Sequence, residues 1–347
     1  MFLQKDLKMI SYSVIIRTLG NGGDKYRALM DSIVSQTVEP EEIIVVIPEG
    51  YDLDYECGRE RIVYSTKGMV TQRAVGINTA KSEYILVVDD DVKFEPDFVE
   101  SLYKFGSIYG LDCVLPMEGK AENGQSYTID LRYPLSVRIR GAFTGQLFQS
   151  NRKSKYLDKI TVTAGHKVYL KNNKLDNCYL CQTGNFQCFF IRTSIAQSVR
   201  LDDELWLQQG VLSQYSAYDD STFYYKLYLS GGKIAYSLRT RYIHLDAAAG
   251  RQAKSKLEQK IIRYYTIARN RTVFWYRFLL QPGDDFGRRL HVILGGLYAM
   301  VNYTFYSIAI NLHPAYWKCI SALFRGYADA FKTIKELNPN SLKYQGE

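Results

Sequence analysis

Short apolar runs alternate with helical stretches along the first part of the chain. The runs are rich in β-branched residues, which is typical of buried strands. They are Ser13 to Arg17, Glu42 to Pro48, Arg61 to Ser65 and Tyr84 to Val88. Two stretches between them, Lys25 to Thr37 and Met69 to Ala80, are predicted to be helices. This alternation predicts a mostly parallel, doubly wound α/β sheet, and such sheets bind ligands beyond the carboxyl ends of their strands.

A second organised block begins after a long stretch, 119–183, that has no clean period. Its predicted elements are a strand at Gly184 to Arg192, a helix at Ala217 to Gly232 and a strand at Lys233 to Leu238. From about Gln252 the chain is predicted to be helical to its end. We therefore expect an α/β domain at residues 1–250, with 119–183 as a basic, loop-rich insertion, and a helical C-terminal extension at 251–347.

One stretch of this extension, Leu290 to Leu312, is apolar and long enough to span a bilayer. Its only acidic or basic side chain is His291, but Asn302, Asn311 and several tyrosines interrupt its apolar character. The pattern therefore favours a buried helix, or one that lies in a membrane interface, over a membrane-spanning helix.

Composition excludes wholesale disorder, because 46% of the 347 residues are hydrophobic and 23% are charged, an ordinary globular balance. The N-terminal residues carry charges and no apolar segment of the length that a secretory signal needs. We therefore expect a cytoplasmic protein with mostly reduced cysteines. Cys178, Cys181 and Cys188 form a C-x2-C-x6-C cluster. A structural zinc site needs a fourth ligand, for which His166 is the candidate, and we favour small buried thiols over such a site.

Positive charge is concentrated in the stretch without a clean period. The formal net charge is +8, and between Gly119 and Asp176 eleven basic residues stand against four acidic ones. Such a segment attracts phosphates on nucleic acid, an anionic membrane or a phospholipid-linked substrate, or it is a solvated surface. Nucleic acid is disfavoured, because the charge lies outside any recognised nucleic-acid-binding module. An anionic membrane surface is an expected partner, with the protein peripheral on the inner face of the plasma membrane.

Three consecutive aspartates, Asp89 to Asp91, follow the strand at Tyr84 to Val88. Three like charges at this spacing repel one another unless a cation lies among them. An acidic turn after a strand is a common site for Mg²⁺ or Mn²⁺, which prefer oxygen ligands and bridge to substrate phosphates. The alternative is a cap on the following turn. A second acidic pair, Asp219 and Asp220, opens a predicted helix, where the helix dipole stabilises acidic groups, so a structural role is open for this pair too.

Several motifs follow one another in order along the chain. After the acidic turn come "GNFQCFFIR" (Gly184 to Arg192), "LDDELW" (Leu201 to Trp206), "DDSTFYYKLYLSGG" (Asp219 to Gly232) and His244. This order resembles that of the family 2 glycosyltransferases with the GT-A fold. "VIIRT" (Val14 to Thr18) and "GMVTQRAVGINTAKSEYILVVDDD" (Gly68 to Asp91) resemble the family's first strand and the segment that ends in its D-x-D turn. The resemblance covers about residues 12 to 245.

This resemblance implies a nucleotide-sugar donor, a bound Mn²⁺ or Mg²⁺, and inverting transfer to a hydroxyl of a glycan or lipid-linked saccharide. It implies that Asp91 and Asp89 contact the metal, that His244 contacts the metal or the diphosphate, and that Asp220, with Asp219 beside it, is the general base. The donor-binding residues expected on this basis are Arg17, Thr18, Glu49, Arg73, Asp89 and Asp90. The expected acceptor-binding residues are Asp203 and Trp206.

The chain departs from the family after its second strand. The family usually has V-V-D-D-G-S there, and the first aspartate contacts the base of a uridine donor. Here the chain reads "VVIPEGY", with Ile47 and Pro48 in place of the aspartates and Glu49 as a substitute at a shifted position. The resemblance therefore leaves the nucleotide base open.

The stretch "IIRYYTIARNRTVFWYRF" (Ile261 to Phe278) resembles the Y-Y-x-x-R-N helix of bacterial rhamnosyltransferase-like members, which build surface polysaccharides on lipid-linked acceptors. Arg263, Arg269 and Arg271 are expected either to meet phosphate or to lie on a solvated basic helix. Two other functions stay open. One is a non-catalytic sugar- or membrane-binding protein that keeps the fold. The other is a sugar nucleotidyltransferase. Such an enzyme has a triphosphate-binding loop after its first strand, and "RTLGNGGDKYR" (Arg17 to Arg27) is only weakly similar to that loop.

Overall fold

The structure is a computed structural model that describes residues 10–119, 158–168, 178–210, 217–245, 255–280 and 284–337. Its strands are β1 (Tyr12–Arg17), β2 (Glu42–Pro48), β3 (Glu60–Ser65), β4 (Tyr84–Asp89), β5 (Val92–Phe94), β6 (Cys113–Glu118), β7 (Asp158–Ile160), β8 (His166–Val168), β9 (Cys178–Leu180), β10 (Cys188–Arg192) and β11 (Ile234–His244). Its α-helices are α1 (Asp24–Val34), α2 (Met69–Thr79), α3 (Phe98–Tyr109), α4 (Thr193–Ser198), α5 (Asp219–Leu229), α6 (Lys256–Phe274), α7 (Phe286–Ala309) and α8 (Trp317–Glu336). A 3-10 helix at Leu201–Gln208 precedes α5, and a π-helical turn at Trp275–Leu279 continues α6.

Most of these strands form one mixed sheet in the order β3-β2-β1-β4-β10-β6-β11-β5, with β9 paired to β11. β1 is parallel to β2 and β4, and β11 is parallel to β6. β10 is antiparallel to both β4 and β6, so those two strands run in the same direction. β1, β4, β6 and β11 therefore present their carboxyl ends at one edge of the sheet. The predicted α/β fold is confirmed, but the sheet is mixed rather than mostly parallel, because β5, β9 and β10 run antiparallel to their neighbours.

Helices cover both faces of this sheet. Along β1, Val14 and Ile16 join the core under α1 and α3, while Ile15 joins the core under α2. A strand that is buried on both faces is apolar along its length, and this explains the continuous apolar runs of the sequence. α2 lies so close to the sheet that a Cβ at Gly76 would collide with Cγ2 of Ile15, so this position requires glycine.

Some elements differ from their predicted bounds in ways that matter for the site. The strand predicted from Gly184 begins only at Cys188. The strand predicted to end at Leu238 continues to His244, because it pairs first with β6 and then with β5. β9 lies inside the stretch predicted as an insertion, yet it belongs to the main sheet. The basic residues at 120–157 lie outside the described residues.

The C-terminal region is helical where the structure describes it, as predicted. Ser255 and Glu258 form a capping box that starts α6. α8 packs so closely along α6 that a Cβ at Gly326 would collide with the carbonyl oxygen of Tyr265. Of the helices in the described ranges, α7 is the one that is long and apolar enough to cross a membrane by length and composition.

The arginines of α6 hold neighbouring segments together. Arg269 is 3% exposed and donates to the carbonyl oxygen of Trp206 at 2.7 Å. Arg271 donates to the carbonyl oxygen of Thr163 from Nε at 2.9 Å and from Nη2 at 2.6 Å. Since Arg269 is buried and donates to a backbone oxygen, the expectation that it meets phosphate or solvent is wrong, whereas Arg271 is half-buried. Arg263 is exposed, in agreement with the solvated alternative.

Candidate functional site

The acidic turn lies where β1 and β4 end side by side. Arg17 and Asp89 are directly opposite in the register of these parallel strands, and Arg17 Nε lies 3.2 Å from Asp89 Oδ1. Burial works to lower the pKa of Arg17, but nearby carboxylates, led by Asp89, outweigh it and raise the pKa above its ordinary value. Arg17 is therefore a fixed cation beside the acidic turn.

Arg73 joins the acidic turn to the second acidic pair. It extends from α2 and is 2% exposed. Its Nη2 lies 3.0 Å from Asp89 Oδ1, and its Nη1 lies 2.7 Å from Asp219 Oδ2. The guanidinium also stacks 4.5 Å over the ring of Phe186. One side chain thus brings together residues that are far apart in the sequence, as the predicted site requires.

The start of α2 is positioned by the 3-10 helix. Oε1 of Gln208 accepts hydrogen bonds from the backbone N–H groups of Val70 at 3.0 Å and Thr71 at 3.2 Å. These two groups belong to the first turn of the helix, where no intrahelical partner is available. Gln208 therefore fixes the end of α2 that carries Arg73.

The two aspartates of α5 have different environments. Burial raises the pKa of Asp219 to about 6, while the ion pair with Arg73 works in the opposite direction. Asp220 is half-buried, and its Oδ1 accepts from the backbone N–H of Ser221 at 2.6 Å and from the Ser221 hydroxyl at 3.2 Å. Asp219 is thus held inside the arginine cluster, whereas Asp220 lies at its border.

Asp90 is held by Thr18, which follows β1. The hydroxyl of Thr18 donates to Asp90 Oδ2. Burial raises the pKa of Asp90, and the Thr18 hydrogen bond works against that rise. Nε2 of Gln72 donates to the carbonyl oxygens of Thr18 at 2.9 Å and Val46 at 3.0 Å. This amide holds the ends of β1 and β2 in place.

Asp91 and His244 meet at the next position along the same edge. His244 Nε2 lies 3.2 Å from Asp91 Oδ2, because β5 and β11 pair there. His244 Nδ1 lies 3.8 Å from Glu118 Oε1, at the end of β6. Nε2 of Gln187 lies 3.4 Å from His244 Nε2. Sequence reasoning missed Glu118 and Gln187, although Glu118 ends an apolar run of the same kind as β1 and β4.

Fewer side chains are placed to bind a metal ion than the sequence predicted. Oδ1 of Asp89 is paired with both Arg17 and Arg73, which leaves Asp91 and His244 as the pair placed for a cation. Within the described ranges no group of three or more His, Cys, Asp or Glu side chains is arranged to hold a metal ion. The chemistry of a carboxylate and an imidazole fits a divalent cation that takes its other ligands from a diphosphate.

The structure does not bring every predicted residue to this cluster. Trp206 is 2% exposed, lies in the hydrophobic core and donates from Nε1 to Glu204 Oε2 at 2.6 Å, so it has no surface for an acceptor. Asp203 is exposed and pairs with Arg200 at 3.0 Å on the outside of the 3-10 helix. Glu49 is exposed just beyond β2. The acceptor-binding role expected for Trp206 is therefore wrong.

Glu204, between those two residues, has a role that sequence reasoning missed. It is fully buried, and Lys226 Nζ and Arg277 Nη2 each lie 2.7 Å from its Oε1. Burial works to raise the pKa of Glu204, but the two cations outweigh it and lower the pKa below its ordinary value. This cluster ties the 3-10 helix, α5 and the π-helical turn together behind the site.

Two cysteines of the C-x2-C-x6-C cluster, Cys181 and Cys188, are buried, and Cys178 is half-buried. All six cysteines lie in the described part of the chain, and none forms a disulfide. Burial raises the pKa of the Cys181 and Cys188 thiols well above the ordinary value. This agrees with the favoured alternative of buried thiols.

Comparison with known proteins supports the same fold. No family model matches the chain. "Glycosyltransferase GlyA" of Streptococcus pneumoniae serotype 4 is 36% identical over 87 residues, which are 22% of this chain and 12% of that protein. The crystal structure of S. aureus TarS has a TM-score of 0.51 at 15% identity and covers 95% of this chain and 50% of its own. A crystal structure of GalNAc-T7 with UDP, GalNAc and Mn²⁺ has a TM-score of 0.48 at 14% identity, over 86% of this chain and 58% of its own.

These comparisons confirm two predictions. The likeness to TarS confirms the predicted GT-A fold, including a helical C-terminal region. The local identity with GlyA confirms the resemblance to the glycosyltransferases that the motifs indicated. The chain spans half the length of TarS and about an eighth of the length of GlyA.

Proposed function

We propose that this chain transfers a sugar from a nucleotide-sugar donor to a hydroxyl of a glycan or lipid-linked saccharide, with inversion at the anomeric carbon. The observation that carries this proposal is the bridge that Arg73 makes between Asp89 and Asp219. It joins an acidic turn suited to a diphosphate donor with a carboxylate pair suited to proton transfer. Both lie at the sheet edge where ligands bind in open α/β sheets.

The donor is held by the residues at the ends of β1, β2 and β4. Arg17 and Arg73 pair with Asp89, and Asp89 and Asp90 would accept hydrogen bonds from ribose hydroxyls. Thr18 fixes Asp90 in this arrangement. Glu49, exposed just beyond β2, is the nearest acidic residue to the position where the family contacts the base.

Asp91 and His244 would hold a Mn²⁺ or Mg²⁺ ion beside the diphosphate. Their separation of 3.2 Å and their chemistry support this assignment. When bound, the ion acts as a Lewis acid that stabilises the negative charge of the leaving diphosphate. Glu118 lies 3.8 Å from Nδ1, the ring nitrogen of His244 on the side away from Asp91, where a carboxylate favours the orientation of the imidazole.

Asp220 is the general base. Its Oδ1 is occupied by Ser221, which orients the carboxylate at the start of α5. The acceptor hydroxyl gives its proton to this carboxylate while its oxygen attacks the anomeric carbon, and the bond from that carbon to the diphosphate breaks. A single displacement of this kind inverts the anomeric configuration. Asp219 holds Arg73 in place and does not itself receive the proton.

The acceptor and the cellular setting are inferred from more general features. The "YYTIARN" helix supports an acceptor from surface polysaccharide synthesis, and such acceptors are commonly lipid-linked. In the structure, Asn270 of this helix donates to the carbonyl oxygens of Leu207 and Ala217, each at 2.8 Å, and so holds the segment that leads to Asp220. The absence of disulfides among the six cysteines is in keeping with a reaction in the cytoplasm.

A nucleotide screen tests the proposal. The thermal midpoint is measured with UDP, GDP and dTDP, with and without Mn²⁺, and nucleoside diphosphate release from the corresponding sugar donors is followed in parallel. One nucleotide should raise the midpoint in a metal-dependent way, and its sugar donor should be slowly hydrolysed. Asp91→Asn is the matched variant, because it removes the charge of a metal ligand without changing the shape of the side chain. In this variant the nucleotide should no longer raise the midpoint in a metal-dependent way. If no nucleotide binds, the donor site is wrongly assigned. If a donor binds but is never turned over with any acceptor, the chain is a binding protein.

A further inference from the structure

Exposed hydrophobic side chains are concentrated in the C-terminal helices. Of the sixteen large hydrophobic side chains that are exposed in the described residues, thirteen lie between Phe286 and Phe331. On α7 they include Leu290, Leu294, Leu297, Val301, Phe305 and Ile308, with exposed fractions between 41% and 72%. Their spacing of three or four residues places them on one face of the helix. An apolar face of this extent on a folded protein marks an interaction surface.

α8 carries a second apolar stripe beside the first. Trp317, Phe324 and Phe331 are 65%, 53% and 47% exposed, and they follow one another every seven residues, which is close to two helical turns. The hydroxyl of Tyr327 donates to the carbonyl oxygen of Met300 at 3.2 Å, so α8 lies next to α7. We call these exposed side chains of α7 and α8 the C-terminal apolar surface.

The opposite face of α7 is packed against the body of the protein. A Cβ at Gly296 would collide with the indole ring of Trp275, and Nε1 of Trp275 donates to the carbonyl oxygen of Val292 at 3.0 Å. A Cβ at Gly295 would collide with Cγ2 of Val162. α7 could not enter a bilayer end-on without breaking these contacts. It can therefore present its apolar face only while lying flat.

Positive charge accompanies this surface. α7 and α8 together carry six basic residues and two acidic ones. The basic residues are all exposed and are Arg288, Arg289, Lys318, Arg325, Lys332 and Lys335. Asp329 accepts a hydrogen bond from the hydroxyl of Tyr265 on the packed side of α8, at 2.6 Å. Glu336 lies 3.6 Å from Lys332, and Asp284, just before α7, lies 2.6 Å from Arg288, so the other four basic residues supply the net positive charge. A second copy of the chain would oppose like charges, whereas anionic lipid headgroups complement them.

We propose that the C-terminal apolar surface docks the protein flat on an anionic lipid bilayer. The leucines and phenylalanines of α7 and α8 enter the boundary of the acyl layer, and the basic side chains extend to the headgroups. Trp317, next to Lys318, lies at the interface, where an aromatic ring with a polar edge is favoured. This docking does not depend on glycosyl transfer, and it would hold the protein beside a lipid-linked acceptor.

Co-sedimentation with vesicles tests the docking. The native chain should bind vesicles of phosphatidylcholine mixed with phosphatidylglycerol, and binding should weaken as salt rises. Val301→Glu/Phe305→Glu should lower the partition coefficient by about 100-fold or more, because two apolar anchors are lost. Lys318→Gln/Arg325→Gln should lower it by about fivefold per residue on the anionic vesicles. Tyr64→Glu/Ile108→Glu makes the same change as the first variant at two exposed residues outside the surface, and it should bind like the native chain.

Three results would overturn the docking. If Val301→Glu/Phe305→Glu binds vesicles as tightly as the native chain, the C-terminal apolar surface is not the docking site. A native dimer that ignores vesicles and becomes monomeric in that variant, by light scattering, would show that a second copy covers the surface. If the bound protein resists alkaline and high-salt washes and only detergent releases it, α7 spans the membrane instead of lying on its surface. Thermal unfolding and nucleotide binding of every variant, measured in solution, separate these outcomes from misfolding and from failure of the proposed transferase.

Discussion

Replacing Glu204 by glutamine removes the centre of the buried charge cluster behind the site. The amide keeps the shape of the side chain, but it leaves Lys226 and Arg277 buried, at 2% and 5% exposure, without their counterion. A buried charge left uncompensated in this way costs about 3–5 kcal/mol of unfolding free energy. With an unfolding entropy of about 2.1 cal/mol/K per residue over 347 residues, the thermal midpoint should fall by about 4–7 °C.

The matched control is Asp203→Asn in the same 3-10 helix. Its ion pair with Arg200 is exposed, and such pairs are worth about 1 kcal/mol or less. Thermal and urea unfolding of both variants at neutral pH give the comparison. The pKa of Glu204 is lowered, so its stabilisation is present above its ordinary pKa and is lost as the pH falls through the folded value. The difference in unfolding free energy between the native chain and Glu204→Gln should therefore become smaller in acid. A cost no larger than that of Asp203→Asn would refute the reasoning.

Two further predictions concern the arginine bridge. Arg73→Lys should lower the free energy of unfolding by about 2 kcal/mol and should also lower donor affinity, because an ammonium cannot reach both Asp89 and Asp219. Urea unfolding and calorimetric titration with the donor measure the two effects, and unchanged values would contradict this prediction. Because burial raises the pKa of Asp219 to about 6, this carboxylate takes up a proton as the pH falls through about 6 and weakens its hold on Arg73. Donor affinity should therefore fall across that range in the native chain but stay flat in Asp219→Asn, and parallel pH profiles would contradict the assignment.

Much of the fold and part of the site could be predicted from local sequence. β1, β2 and β4 are continuous apolar runs, since strands buried on both faces need no alternation. Asp89 to Asp91 follow β4 directly, and Arg17 ends β1, so their meeting follows once the two strands are taken as parallel neighbours. Asp91 and His244 were both expected at the metal from the resemblance, and the structure brings the two side chains to 3.2 Å from each other.

The remaining features depend on contacts between distant segments. Glu118 lies beside His244 only because β6 and β11 are neighbours, an arrangement that requires β10 to run antiparallel between β4 and β6. In "LDDELW" three acidic residues are adjacent, and local sequence cannot tell that Glu204 is buried while Asp203 is exposed. The difference arises from Lys226 and Arg277, which approach from α5 and the π-helical turn. Local sequence also does not show that Trp206 is buried, and for that reason it was expected to bind an acceptor.

The transfer rate and the donor affinity of Asp220→Asn and Asp219→Asn, measured side by side, test the central claim most directly. Asp220→Asn should slow transfer by about 10²–10⁴-fold, the usual contribution of a general base, while donor affinity stays nearly native. Asp219→Asn should slow transfer less and weaken donor binding more, since it releases Arg73. If Asp219→Asn abolishes transfer while Asp220→Asn leaves it nearly intact, the base is the wrong member of the pair. If neither substitution slows transfer, this edge of the sheet is not the catalytic site.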